Sequence, residues 1–134
     1  MAKRRILLVD DESMFTRLVK LYLEDTERYE VRVENHGAHA LETLREFRPD
    51  LVLLDIIMPD LDGAQVSQTM REDPVLRHVP IIFLTAIVSR EEIGTQSVVI
   101  GQNPFIAKPA KMTVIMDTIE RELAKADGAS ATRP

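Results

Sequence analysis

Two hydrophobic textures alternate along the chain. Ile6-Leu7-Leu8-Val9, Leu51-Val52-Leu53-Leu54 and Ile81-Ile82-Phe83-Leu84 are unbroken apolar runs of four, each stopped by a polar residue. Runs this short and continuous suit strands buried on both faces, as in a parallel sheet covered on either side by helices. Val31 and Val33, alternating with Arg32 and Glu34, predict a strand with one wetter face, and Phe105-Ile106-Ala107 predicts a fifth. Between the runs, apolar residues recur at helical spacing. Phe15, Leu18, Val19 and Tyr22 predict a first helix with Asp11 or Ser13 as its N-cap. Leu41, Leu44 and Phe47 predict a second, closed by Pro49, while Met112, Ile115, Met116, Ile119 and Leu123 predict a last one ending near Ala126 and Gly128. Weaker patterns over 62–73 and 90–100 predict two more. The second of these carries Gly94 and the β-branched Thr95, Val98 and Val99, so it depends on tertiary packing.

Strand and helix alternating five times over is the pattern of an α/β domain with a parallel sheet, because crossovers of this length join parallel strands. The 134 residues fit one domain, and 45% apolar content excludes disorder. The absence of Cys removes disulfides, thiolate zinc sites and cysteine nucleophiles from consideration. A net charge of −5 offers no electrostatic footprint for nucleic acid or an anionic membrane. No stretch reaches the roughly twenty apolar residues of a membrane span, and the basic N-terminus precedes too short an apolar run for a signal peptide. A cytoplasmic protein is expected, with neither nucleic acid nor membrane as partner.

In an open parallel sheet, ligands collect beyond the carboxyl ends of the strands. Those ends place Asp10 and Asp11 after the first strand, Asp55 after the third, Thr85 after the fourth and Lys108 after the fifth. Singly, each has an ordinary structural reading as a cap, a strand end or a turn. Together they put three carboxylates, a hydroxyl and an ammonium on one rim, with only the second strand contributing nothing. Carboxylates ~4–6 Å apart disfavour one another's ionisation. A hard divalent cation with oxygen ligands, such as Mg²⁺, relieves that repulsion. The ion and Lys108 would then attract a phosphoryl group, and a carboxylate can attack phosphorus to give an acyl phosphate. The chemistry indicated is phosphoryl transfer.

Four motifs in order, Leu7-Leu8-Val9-Asp10-Asp11-Glu12-Ser13, Leu54-Asp55-Ile56-Ile57-Met58-Pro59-Asp60-Leu61-Asp62-Gly63, Phe83-Leu84-Thr85-Ala86 and Phe105-Ile106-Ala107-Lys108-Pro109, resemble those of a response-regulator receiver domain. The resemblance covers residues 4–125 and leaves 126–134 as a flexible C-terminal tail. It implies a flavodoxin-like doubly wound sheet of five parallel strands, order 2-1-3-4-5, with five helices, an order shared by flavodoxins and chemotaxis receivers. It implies a phosphoacceptor that catalyses only its own phosphorylation and dephosphorylation. Asp55 resembles the acceptor. Asp10, Asp11 and Asp55, with the backbone carbonyl of Ile57, resemble the Mg²⁺ ligands, Asp10 acting through water. Thr85, the N–H of Ala86 and Lys108 match the groups that hold phosphoryl oxygens. Thr85 and Phe105 match the switch pair, and Pro109 the cis-proline; apart from the resemblance, Phe105 reads more readily as a core residue than as a switch. Implied partners are a sensor histidine kinase or phosphotransfer domain, an unknown downstream protein, and a possible homodimer through the face spanning 87–123. A phosphorylation-independent interaction module of this fold and a small phosphohydrolase stand as alternatives.

Three departures from the family pattern stand out. Ile57 and Ile87 are apolar where at least one polar residue is often found, and they are expected to flank the phosphoryl group and hinder attacking water. Gln102-Asn103-Pro104 replaces a small, flexible stretch, and Pro104 restricts Asn103 toward extended geometry. His36, His39 and His78 lie off the rim and read as surface residues.

Overall fold

Each apolar run becomes a strand whose alternate side chains feed two separate cores. The computed structural model describes residues 2–58, 61–85, 98–100 and 103–131. Five parallel strands, β1 (Arg4–Val9), β2 (Tyr29–Glu34), β3 (Leu51–Asp55), β4 (Ile81–Thr85) and β5 (Asn103–Ala107), lie in the order β2-β1-β3-β4-β5. This is the flavodoxin-like order expected from the sequence. Ile6 and Leu8 of β1 and Leu51 and Leu53 of β3 face one side, against Val19 and Leu23 of α1 (Ser13–Asp25) and Ile115 and Ile119 of α4 (Met112–Ala131). Leu7 and Val9, with Val52 and Leu54, face the other, against Leu44 and Phe47 of α2 (Ala40–Phe47) and Val66 and Met70 of α3 (Gly63–Glu72). Runs without polar alternation are therefore required, since both faces of the central strands are dry. Burying one such side chain contributes roughly 1.5–3 kcal/mol. Among the described residues, no helix is long and apolar enough to cross a membrane.

Several expectations need correction. Val98–Ile100, predicted as the end of a helix, instead pair antiparallel with β5 as a sixth, edge strand, Val98 opposite Phe105. Three consecutive β-branched residues favour that pleated geometry. The rest of that predicted helix, 90–97, and with it the fifth helix, lies outside the described residues. Helix α1 is capped by Glu12, not Asp11 or Ser13, because the Glu12 carbonyl already accepts the Thr16 N–H at 3.1 Å. Of the apolar residues whose spacing predicts it, Leu18 and Tyr22 are exposed; Phe15, Thr16, Val19 and Leu23 form the inner face. The last helix runs on to Ala131, past the predicted end near Ala126 and Gly128. There the Arg4 guanidinium forks onto the Asp127 carboxylate with two 3.0 Å bonds, tying the helix end to β1.

The outer edge of β2 is covered by side chains of α1. Glu24 accepts the Val31 N–H at 3.0 Å, and Lys20 donates to the Val31 carbonyl at 2.7 Å and to Glu24 at 2.9 Å. An edge strand with unpaired backbone groups invites pairing with another chain, and this ion pair closes both backbone groups of Val31. Burial pushes the Glu24 carboxyl up, but the Val31 N–H and Lys20 ammonium outweigh it and hold the group below its usual range. A folded pKa below the unfolded one contributes stability above the unfolded value, and loses it as pH falls through the folded value. Glu24→Gln is expected to cost about 0.5–1 kcal/mol at neutral pH, discounted for partial exposure. Urea unfolding of the two proteins should converge as the pH drops below the carboxylate range; a gap that persists unchanged in acid contradicts the charged clamp.

Candidate functional site

The carboxyl ends of the strands bring the expected residues to one rim. Asp10 follows β1 and is fully buried; Asp55 closes β3 and is 6% exposed; Asp11 is exposed. One carboxylate oxygen from each of Asp10, Asp11 and Asp55 lies within 4.8 Å of the others. The parallel register fixes this, since Val9 sits opposite Leu54 and Asp55 opposite Leu84. Thr85, the last residue of β4, is buried, and its carbonyl accepts the Lys108 N–H at 2.8 Å, which sets the start of the loop after β5. The Lys108–Pro109 peptide is cis.

The Lys108 side chain is 7% exposed and its ammonium reaches three carboxylates. It donates to Asp10 at 2.8 Å, pairs with Glu12, and lies 3.7 Å from Asp55. The Phe15 ring lies 4.9 Å from the same nitrogen. Burial pulls the Lys108 ammonium down, but its bonds to Asp10 and Glu12 and the nearby Asp10 and Asp55 charges outweigh that and leave it above its usual range. It stays cationic at any physiological pH. Burial pushes the Asp10 carboxyl up, and the Lys108 and Glu12 hydrogen bonds offset only part of the effect. Among the described residues, three carboxylates thus share one cation, and Asp11 adds a fourth negative charge beside Asp10 and Asp55. A cluster of oxygen donors with excess negative charge, two of its three close members buried, is the donor set that suits a hard divalent ion. Asp10, Asp11 and Asp55 fit Mg²⁺ on that ground.

Two contributors escaped the sequence reading. Asn35, directly after β2, donates its amide to the Asp10 carbonyl at 2.7 Å and to the Thr16 hydroxyl at 3.1 Å. It supplies the second strand end that had none, and its only signal was that position. Glu12 reads from the sequence as part of a motif and nothing more; here its backbone N–H donates to Asp10 at 2.9 Å while its side chain pairs with Lys108. Phe105 is buried, at 4% exposure. Ile57 lies in a two-residue strand, Ile57–Met58, paired with Leu61–Asp62. Ala86, Ile87, Pro59 and Asp60 lie outside the described residues. His36, His39 and His78 are exposed, as expected.

Residues 6–120 match the family model described as the response regulator receiver domain. The chain is 32% identical over 125 residues to the polar-differentiation response regulator DivK of Brucella anthropi, covering 92% of this chain and 98% of that protein. It is 37% identical over 105 residues to the response regulator PleD of Caulobacter vibrioides, covering 78% of this chain but 23% of PleD. In fold it is similar to a CheY-like receiver domain protein from Methanospirillum hungatei, with a TM-score of 0.80, 23% identity, and coverage of 96% of this chain and 99% of the other.

Proposed function

The chain belongs to the response regulator receiver domain family, and from that premise we propose that Asp55 accepts a phosphoryl group from the phosphohistidine of a sensor histidine kinase or phosphotransfer domain. A carboxylate oxygen of Asp55 forms a bond to phosphorus as the N–P bond breaks. The donor imidazole leaves with the electron pair and regains a proton from solvent. Asp10, Asp11, Asp55 and the Ile57 carbonyl would hold Mg²⁺, which supplies charge neutralisation for the incoming phosphoryl oxygens. Lys108 stands 3.7 Å from Asp55, ready to pair with one of those oxygens, while Thr85 and the Ala86 N–H take another. The observation that carries this reading is the buried Asp55 carboxylate gathered with two further acids and one fixed ammonium. Thr85 and Phe105 are the proposed relays to the 87–123 face, which would bind a downstream protein or a second copy.

Acetyl phosphate or phosphoramidate with Mg²⁺ tests the chemistry. A single adduct of one phosphoryl group, mapped to Asp55 by borohydride trapping, is the expected result. Continuous turnover without an accumulating adduct indicates a phosphohydrolase, and no adduct indicates an interaction module that works unphosphorylated.

The donor also needs a surface. Met14, Leu18, Leu21 and Tyr22 recur along one exposed stripe of α1, the first two being 66% and 50% exposed, and the helix starts beside the acidic rim. We place the donor's contact there. Leu18→Asp is expected to slow transfer from a phosphohistidine protein by roughly tenfold, the scale of losing a central interface anchor, with the acetyl phosphate rate unchanged. Equal loss with both donors removes α1 from the interface.

A further inference from the structure

Lys108 is shared among carboxylates in a way that the proposed transfer does not require. An ammonium has three donors. One goes to the buried Asp10 at 2.8 Å and a second to Glu12, while Asp55 at 3.7 Å lies beyond hydrogen-bond length. Glu12 is the N-cap of α1, yet its side chain makes no capping bond; its carboxylate reaches instead to a lysine 96 residues away. Its backbone N–H meanwhile holds Asp10, so one residue grips both members of the Asp10–Lys108 pair. The Phe15 face closes the remaining side of the ammonium.

Resting on the reading of Asp55 as acceptor, we propose that Glu12 is a positioning residue that tethers Lys108 on the Asp10 side while Asp55 is unmodified, so that phosphoryl transfer requires Lys108 to exchange its Glu12 contact for a phosphoryl oxygen. The two anchors differ in how readily they release. Asp10 is fully buried, and breaking a buried pair leaves an uncompensated charge. The Glu12 side chain is 60% exposed, so water replaces its lost partner at little cost. Glu12 is therefore the contact that gives way. Its removal should leave Lys108 free to turn toward Asp55 before the phosphoryl group arrives.

The test compares the protein with Glu12→Ala, Lys108→Ala and the double variant, following adduct formation from phosphoramidate and Mg²⁺ by intact mass. Glu12→Ala is expected to be roughly threefold faster, the scale of an exposed ion pair, and to have no effect when Lys108 is already Ala. Equal acceleration in both backgrounds shows a general relief of negative charge and overturns the tether, as does no acceleration at all. Glu12→Gln, which keeps length and loses charge, should fall between. A second measurement needs no donor and no metal: in lysine-labelled protein, Glu12→Ala should shift the Lys108 side-chain NMR signal and leave other lysines in place. An unmoved Lys108 signal overturns the tether independently. If the unsubstituted protein forms no adduct while that signal shifts, the acceptor reading fails and the tether stands.

Discussion

Asp55→Asn is expected to reduce phosphoryl incorporation from acetyl phosphate to background and, in the absence of Mg²⁺, to make the protein more stable. The first effect follows from chemistry, since an amide oxygen cannot serve as the anionic nucleophile. The second follows from the charge count. Among the described residues, Asp55 has two carboxylates within 4.8 Å and one ammonium at 3.7 Å. At an effective dielectric of 20, each repulsion costs about 3.5 kcal/mol and the attraction returns about 4.5 kcal/mol, so removing the charge yields about 2–3 kcal/mol. Exposure of Asp11 screens its share and places the expected gain toward about 1–2 kcal/mol. Mg²⁺ should reverse the ranking. An ion at one hundred times its dissociation constant stabilises the folded state by about 2.7 kcal/mol, and a site short of one carboxylate binds it less well. Thermal melts with and without Mg²⁺, beside the incorporation assay, decide both parts. A variant no more stable than its parent in metal-free buffer contradicts the crowded-acid account, and residual adduct on Asp55→Asn moves the acceptor elsewhere.

The parts of this molecule that were legible in the sequence are those set by local pattern. Ile6–Val9 and Leu51–Leu54 read as strands because both their faces are dry, so the apolar run has no polar break. Asp10, Asp55 and Lys108 could be placed on one rim because each directly follows such a run, and parallel strands align their carboxyl ends. What stayed hidden depends on partners far along the chain. Glu12 finds Lys108 and Asn35 finds Asp10, across 96 and 25 residues, and no spacing rule announces either. Leu18 and Tyr22 share helical spacing with Val19, but the helix can bury only one side, and the sequence does not say which members of a broad apolar set that side takes. At Val98–Ile100 two local signals competed, periodicity for a helix and β-branching for a strand, and an open sheet edge beside β5 decided between them.

Gly63→Ala should damage the site without touching any residue that carries its chemistry. Gly63 begins α3 directly after the loop that follows Asp55, and its N–H donates to the Ile56 carbonyl at 2.8 Å. A Cβ there would stand 2.4 Å from the Asp55 carbonyl oxygen and 2.9 Å from the Ile56 Cα. Both are backbone atoms, which cannot swing aside as the end of a flexible side chain could, so either the helix start or the end of β3 must move. Overpacking of this kind costs typically about 1–3 kcal/mol. The larger effect falls on transfer, because a shift of the end of β3 carries Asp55 with it, and a misplacement of about 1 Å can cost on the order of a hundredfold in rate. Gly128→Ala is the matched control. It lies in α4 with nothing within 4 Å of the added carbon, and exchanging a helical glycine for alanine should stabilise by roughly 0.5–1 kcal/mol. Chemical denaturation and phosphoramidate labelling of the two variants should therefore diverge in sign for stability, with labelling lost only at Gly63. If Gly63→Ala labels at the parent rate, the close approach between α3 and the acceptor strand does not set the geometry of Asp55.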